Sequence, residues 1–283
     1  MELVAIKTDL AFRAVFGREN ERCKIALKEL LNTALDLDIR DLRYVNPLNL
    51  KAYHGDKQSE MDIEVTTTGG ERIDIEIQLR MMDGFHERIV YYAGKLLGEA
   101  LQENQPYTEM RKCKVLSILD FVLFPQTQEL HNCFLLKEQK QNFVFSDILE
   151  LVFLEMPKLT EKDVSQMSAL ERWLYFLRYV QDEGRREKID QIIRESEGLQ
   201  MAYKILQEVS ADETLRAELR FQEKAARDRI AELTYAQKEY LEKGMEKRTL
   251  EIARNMLTMG LDIGVIAQAT GLTREALQEL GMH

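Results

Sequence analysis

Proline is almost missing from this chain: 283 residues hold four, at positions 47, 106, 125 and 157. Proline removes a backbone donor and breaks helix interiors, so the stretch beyond Pro157 is open to long helices. Cysteine is equally sparse. Cys23, Cys113 and Cys133 are odd in number, widely spaced and form no CxxC or Cys/His pairing. That pattern excludes a disulfide framework or a cysteine-rich zinc site and suits reduced thiols. No apolar run approaches the roughly 20 residues that a membrane-spanning helix needs, and the opening MELVAIKTDL has no signal-peptide pattern. The expectation is a soluble, cytoplasmic protein with no membrane partner. Positive charge is in deficit as well: 39 Lys and Arg stand against 49 Asp and Glu, a net charge of -10. This excludes coating of nucleic acid by bulk electrostatics, but not a local basic groove, because net charge says nothing of distribution.

What the chain does have is core. With 45% hydrophobic residues, a chain of this length can bury one large domain, or a moderate domain with an extension. The expected division is 1–195 and a charged helical region over 196–283. Thr8 to Leu37 reads as helix interrupted at Gly17, with Thr8 or Asp9 as a candidate cap and Phe12, Val15, Phe16, Ile25, Leu27, Leu30 and Leu31 as its apolar stripe. Asp9 stays open between capping and an acid that points into a site. Arg43 to Tyr53 reads as a short strand or extended segment.

The most informative stretch runs from Asp56 to Gln78, DKQSEMDIEVTTTGGERIDIEIQ. Met61, Ile63 and Val65 alternate with Asp62 and Glu64; beyond Gly69-Gly70, Ile73, Ile75 and Ile77 alternate with Asp74, Glu76 and Gln78. Alternation around paired glycines predicts a β-hairpin. Asp74, Glu76 and Gln78 then share one strand face, and Asp62 can join them from the neighbouring strand. Mg2+ prefers oxygen ligands and usually takes only one or two protein carboxylates beside water and substrate phosphate. Two carboxylates facing one way on adjacent strands meet that minimum; a solvent-facing hairpin with acidic outer positions is the alternative.

Phe85 to Leu101 reads as an amphipathic helix, on which Arg88 and Lys95 project from one side, as a solvated face or as phosphate contacts. Val115 to Leu123 is a continuous apolar run, consistent with a strand buried on both sides. Strand pieces follow at His131–Leu136 and Phe143–Phe145, with Asp147–Leu154 behind them. Past Ser196 the apolar positions Leu215, Leu219, Ala226, Ile230, Leu233 and Tyr240 fall at roughly helical or heptad spacing. The end has the spacing of a helix-turn-helix. Its last helix, TREALQEL, carries one arginine against two glutamates, which favours packing or oligomerisation over DNA reading.

Taken together, TDLAFRAVFGREN, DKQSEMDIEV, GGERIDIEIQL, RIVYYAGKLL, KVLSILDFVLF and IARNMLTMGLDIGVIAQATGLT resemble, in register along the chain, the Rpn family of recombination-promoting nucleases and transposases within the PD-(D/E)XK superfamily. The resemblance implies an α/β (α+β) fold: a restriction-endonuclease-like mixed β-sheet core flanked by helices, with a helical C-terminal extension. It implies a metal-dependent DNA endonuclease of low sequence specificity, linked to recombination, using Mg2+ with Mn2+ as a substitute. Asp62 and Glu76 would bind the metal, with the Ile77 carbonyl as a further ligand. Gln78 stands where the motif has lysine, Met61 where an aliphatic residue is usual, and Asp9 matches the acid of the opening motif. Arg88, Tyr91 and Tyr92 would contact DNA, Lys95 joining them through its place on the same helix side as Arg88, and Asp74 and Glu64 would be bystanders. The C-terminal helices suggest a homodimer. The competing expectation is an inactive nuclease-fold interaction module that acts through those helices.

Overall fold

In the computed structural model, which describes residues 3–48, 63–101 and 104–281, the first helical stretch divides where glycine requires it. Helix α1 (Asp9–Phe16) buries every residue from Leu10 to Phe16. At Gly17, where the chain leaves α1, a Cβ would lie 2.9 Å from the Arg13 carbonyl oxygen, so a larger residue would not fit without a shift. Asn20 then starts α2 (Glu21–Leu35) by accepting the Cys23 N–H at 3.0 Å. Thr8, not Asp9, is the residue before α1, and its hydroxyl donates to the Ala5 carbonyl at 2.8 Å. Asp9 is the first helical residue, a place where the helix dipole favours an acid.

The sheet has six strands: β1 (Leu42–Tyr44), β2 (Ile63–Thr67), β3 (Arg72–Gln78), β4 (Cys113–Leu119), β5 (His131–Lys137) and β6 (Val144–Glu155), in the order β1-β2-β3-β4-β6-β5. It is mixed: β3, β4 and β6 run parallel, and the outer pairings are antiparallel. The hairpin turns at Gly69-Gly70, where Gly70 takes a φ of +84° that a side chain would resist. Ile63 pairs with Ile75, and Glu64 with Asp74. Strand β4 is buried at every residue, as its unbroken apolar run predicts. It ends at Leu119; the Asp120 N–H makes one last rung to the Gln78 carbonyl at 3.0 Å before the chain bends away. Val144 and Phe145 of the piece expected at Phe143–Phe145, and all of Asp147–Leu154, belong to the single 12-residue β6.

The two faces of the sheet meet different partners. Ile73, Ile75 and Ile77 join Leu116, Ile118, Val152 and Leu154 in a large core with α1, α2, α4 (Ala169–Tyr179) and α6 (Glu197–Ala211). Trp173 is fully buried there and donates through Nε1 to Glu29 at 3.1 Å. The opposite face packs Val115, Leu119 and Phe153 against Phe85, Ile89, Ala93 and Leu96 of α3 (Phe85–Gly98). The even-numbered side chains of β3 therefore lie beneath α3. Cys23 and Cys113 are buried, Cys133 is exposed, and all three are free thiols.

The first compact unit covers 1–219 and runs past the expected boundary at 195/196. Leu199, Ala202, Ile205, Leu206 and Val209 form a buried stripe on α6, preceded by α5 (Arg186–Arg194), and that stripe belongs to the main core. The second unit covers 220–283. It contains most of the 46-residue α7 (Glu213–Thr258), then α8 (Ile263–Thr270) and α9 (Arg274–Gly281), joined through Gly271 at a φ of +74°. Ala253, Ile266 and Leu277 form its small core. Among the described residues no helix is long and apolar enough to cross a membrane.

Candidate active site

Strand β3 carries a polar row on its α3-facing side, the charged Arg72, Asp74 and Glu76 and the amide of Gln78, with Glu64 entering from β2 opposite Asp74. Three carboxyls meet two guanidiniums. Arg72 holds Glu64, with its Nε 3.0 Å from Glu64 Oε1 and its Nη2 on the same oxygen and, at 3.1 Å, on Glu99. Arg88 of α3 holds Glu76 and donates at 2.9 Å to Gln78 Oε1. Asp74, 3% exposed, has no such partner, and its Oδ1 is buried without a hydrogen bond. Burial first, and then the neighbouring Glu76 and Glu64, push its carboxyl up to about 8. A carboxyl in that position neutralises rather than remain charged and unpaired.

Glu76 and Gln78 lie at the C-terminal end of a parallel strand, the edge where open α/β sheets place ligands. Burial raises the Glu76 carboxyl, the Arg88 guanidinium opposes that rise, and the carboxylate of Asp9 adds to it. The start of α1 thus brings Asp9 within electrostatic reach of Glu76, while Asp9 itself is exposed. Ile77 sends its side chain to the opposite core. Asp62 and Met61 lie outside the described residues.

On α3, Arg88 is turned inward onto Glu76 and Gln78. Tyr91 is exposed, with its ring 5.5 Å from that of the half-buried Tyr92 in an edge-on pair, and Lys95 is exposed one turn further on. The structure adds two residues that the sequence did not single out. Lys7 pairs with Asp120, which also faces Arg178 at 3.7 Å. Asp120 sits beside Gln78 through its backbone, and its place inside the apolar run VLSILDFVL had concealed it.

Among the described residues no group of three His, Cys, Asp or Glu side chains is gathered at metal-binding spacing. The donors at hand are nevertheless hard oxygens: the carboxylates of Glu76 and Asp9 and the amide oxygen of Gln78. Next to Glu76, two buried polar atoms lack hydrogen-bond partners among the described residues, Asp74 Oδ1 and Ser117 Oγ; Ser117 is the β4 residue in register with Glu76. Buried polar atoms are rarely left unpaired. A hydrated divalent cation, which keeps several of its waters, would supply the donors they lack. The residues fit such an ion, with Glu76 and Asp9 as its candidate ligands.

Two family models match the chain. A PD-(D/E)XK nuclease family transposase model matches residues 6–236. A model of the Rpn/YhgA-like nuclease family, C-terminal HTH domain, matches residues 246–282, the segment that folds as the end of α7, α8 and α9. No curated protein and no solved structure matches.

Proposed function

The chain belongs to the PD-(D/E)XK nuclease family transposases, and from this we infer that it is a metal-dependent endonuclease that hydrolyses DNA phosphodiesters with low sequence specificity, in recombination or the biology of mobile elements. The observation that carries the reading is the placement of Glu76: half-buried at the end of β3, its carboxyl raised by burial and, to a lesser degree, by Asp9, and flanked by Gln78 and by unpartnered polar atoms. We assign Asp62 and Glu76 as the carboxylate ligands of Mg2+ or Mn2+, with Asp9 and the Ile77 carbonyl completing the set. A divalent cation bound by these residues would polarise a phosphate oxygen and lower the pKa of a water on it. The water oxygen adds to phosphorus, one P–O bond breaks, one proton ends on the leaving oxygen and the other enters solvent.

The chain's own residues orient that reaction. The Gln78 amide accepts and donates hydrogen bonds and positions the attacking water. Tyr91, Tyr92 and Lys95 on the outer side of α3 contact the DNA backbone next to the cut. The helix-turn-helix unit is of a class that reads DNA. However, α9 sets Arg274 against Glu275 and Glu279, so its share of the affinity is small. Exposed apolar residues on α7, among them Leu233, Tyr240, Leu241 and Met245, support pairing of two copies, which lets one assembly cut both strands.

The test is nicking of supercoiled plasmid by the purified chain with Mg2+, with Mn2+ and with chelator. Cleavage that needs the metal and is lost in Asp62→Ala supports the reading; a folded chain that never cuts contradicts it and favours the interaction module.

A further inference from the structure

The family takes its name from a (D/E)XK motif, and here that place is filled by Glu76-Ile77-Gln78. An amide carries no charge, so any cation that the reaction requires at this position must come from elsewhere. The Arg88 guanidinium is already there, donating to Glu76 and, at 2.9 Å, to Gln78 Oε1. The Gln78 amide is oriented accordingly: its oxygen faces Arg88, and its nitrogen lies 3.4 Å from the Arg80 carbonyl oxygen and 3.4 Å from Met82 Sδ. Arg88 is braced by Phe85, whose ring centre lies 5.8 Å from its Cζ. Its Nε is buried and has no partner among the described residues. Guanidinium has five donors in a planar fork that matches phosphate, so donors remain after Glu76 and Gln78 are served.

A purely structural ion pair would leave this arrangement unexplained. It would tie up the carboxylate that the nuclease reading needs for metal, and an ion pair whose arginine is 32% exposed contributes little net stability. We propose that Arg88 supplies in space the positive charge that residue 78 lacks in sequence, releasing Glu76 to the cation and turning its donors to the reacting phosphate. This rests on the nuclease reading above. Charge develops on the phosphate oxygens during the displacement, and a fixed donor aimed at such charge is worth about 10²- to 10³-fold in rate.

The test compares the full-length parent with Arg88→Gln, Arg88→Lys and the double variant Gln78→Lys/Arg88→Gln, each checked for a cooperative melt. In plasmid nicking with Mg2+, Arg88→Gln lowers kcat about 10²-fold with KM nearly unchanged, Arg88→Lys retains more activity, and Gln78→Lys recovers at least tenfold in the Arg88→Gln background. The second readout is Mn2+ alone, followed by thermal shift. Because Arg88 and the ion share Glu76, Arg88→Gln binds Mn2+ about tenfold more tightly than the parent, and equal affinities overturn the proposal. Faster cleavage by Arg88→Gln makes Arg88 an inhibitory latch and overturns it; loss of cleavage with no rescue by Gln78→Lys makes it structural and also overturns it. A parent that cuts while rescue fails sinks the role of Arg88 alone. A parent that binds Mn2+ and cuts nothing sinks the nuclease reading together with it.

Discussion

Glu64 and Asp74 stand opposite one another across the β2–β3 ladder, and of these two Arg72 pairs with Glu64 and not with Asp74. Like charges at directly opposed positions destabilise a sheet, and here the strain falls on the residue without a cation. Asp74 is the acid raised to about 8. Its folded-state value lies above its unfolded one, so the folded chain binds more protons than the unfolded chain between roughly pH 4 and 8. Stability is fully present below that window and declines as pH rises through it.

Asp74→Asn keeps the shape and removes the titration. In metal-free buffer with chelator, denaturant unfolding should show parent and variant nearly equal at pH 4. The variant should gain progressively to a few kcal/mol at pH 8. A difference that does not change with pH would refute the assignment.

Glu155 is the opposite case, a buried acid with every oxygen engaged. It accepts the N–H groups of Leu123 at 2.6 Å and Phe124 at 3.0 Å, and the side chains of Asn132 at 3.2 Å and Lys158 at 2.5 Å. Glu155→Ala leaves the Lys158 ammonium, itself 5% exposed, without its counter-charge. Breaking a buried pair in this way costs about 3–5 kcal/mol, and thermal melts should show a correspondingly large loss. A shift of a degree or two would mean that water replaces the carboxylate.

The α7 residues named above predict a dimer in solution. Light scattering at micromolar concentration should return twice the 33.0 kDa chain mass, and Leu233→Glu with Leu241→Glu should return the monomer. A monomeric parent across that range would remove the dimer from the account.

Much of the fold was legible because its signals are local. Alternation around Gly69-Gly70, the break at Gly17 and the stripe from Phe85 to Leu96 are each decided by neighbours in sequence, and each has its counterpart in the structure. What escaped depends on packing between distant elements. Nothing within β3 indicates that Arg88, 12 residues away on α3, turns inward onto Glu76 instead of outward. The charge of the region after Ser196 describes its surface, while the apolar stripe of α6 decides which unit it joins. Asp74 and Glu76 share a face and a residue class. They differ because a guanidinium reaches one and not the other, which no periodicity reports.

Glu76→Gln keeps the size of the side chain and removes the negative charge that would hold the ion. With Mg2+ and supercoiled plasmid, the variant should melt cooperatively, lose its thermal shift with Mn2+, and nick at least about 10²-fold more slowly than the parent. A folded Glu76→Gln chain that nicks at the parental rate would mean that Glu76 is not a catalytic metal ligand.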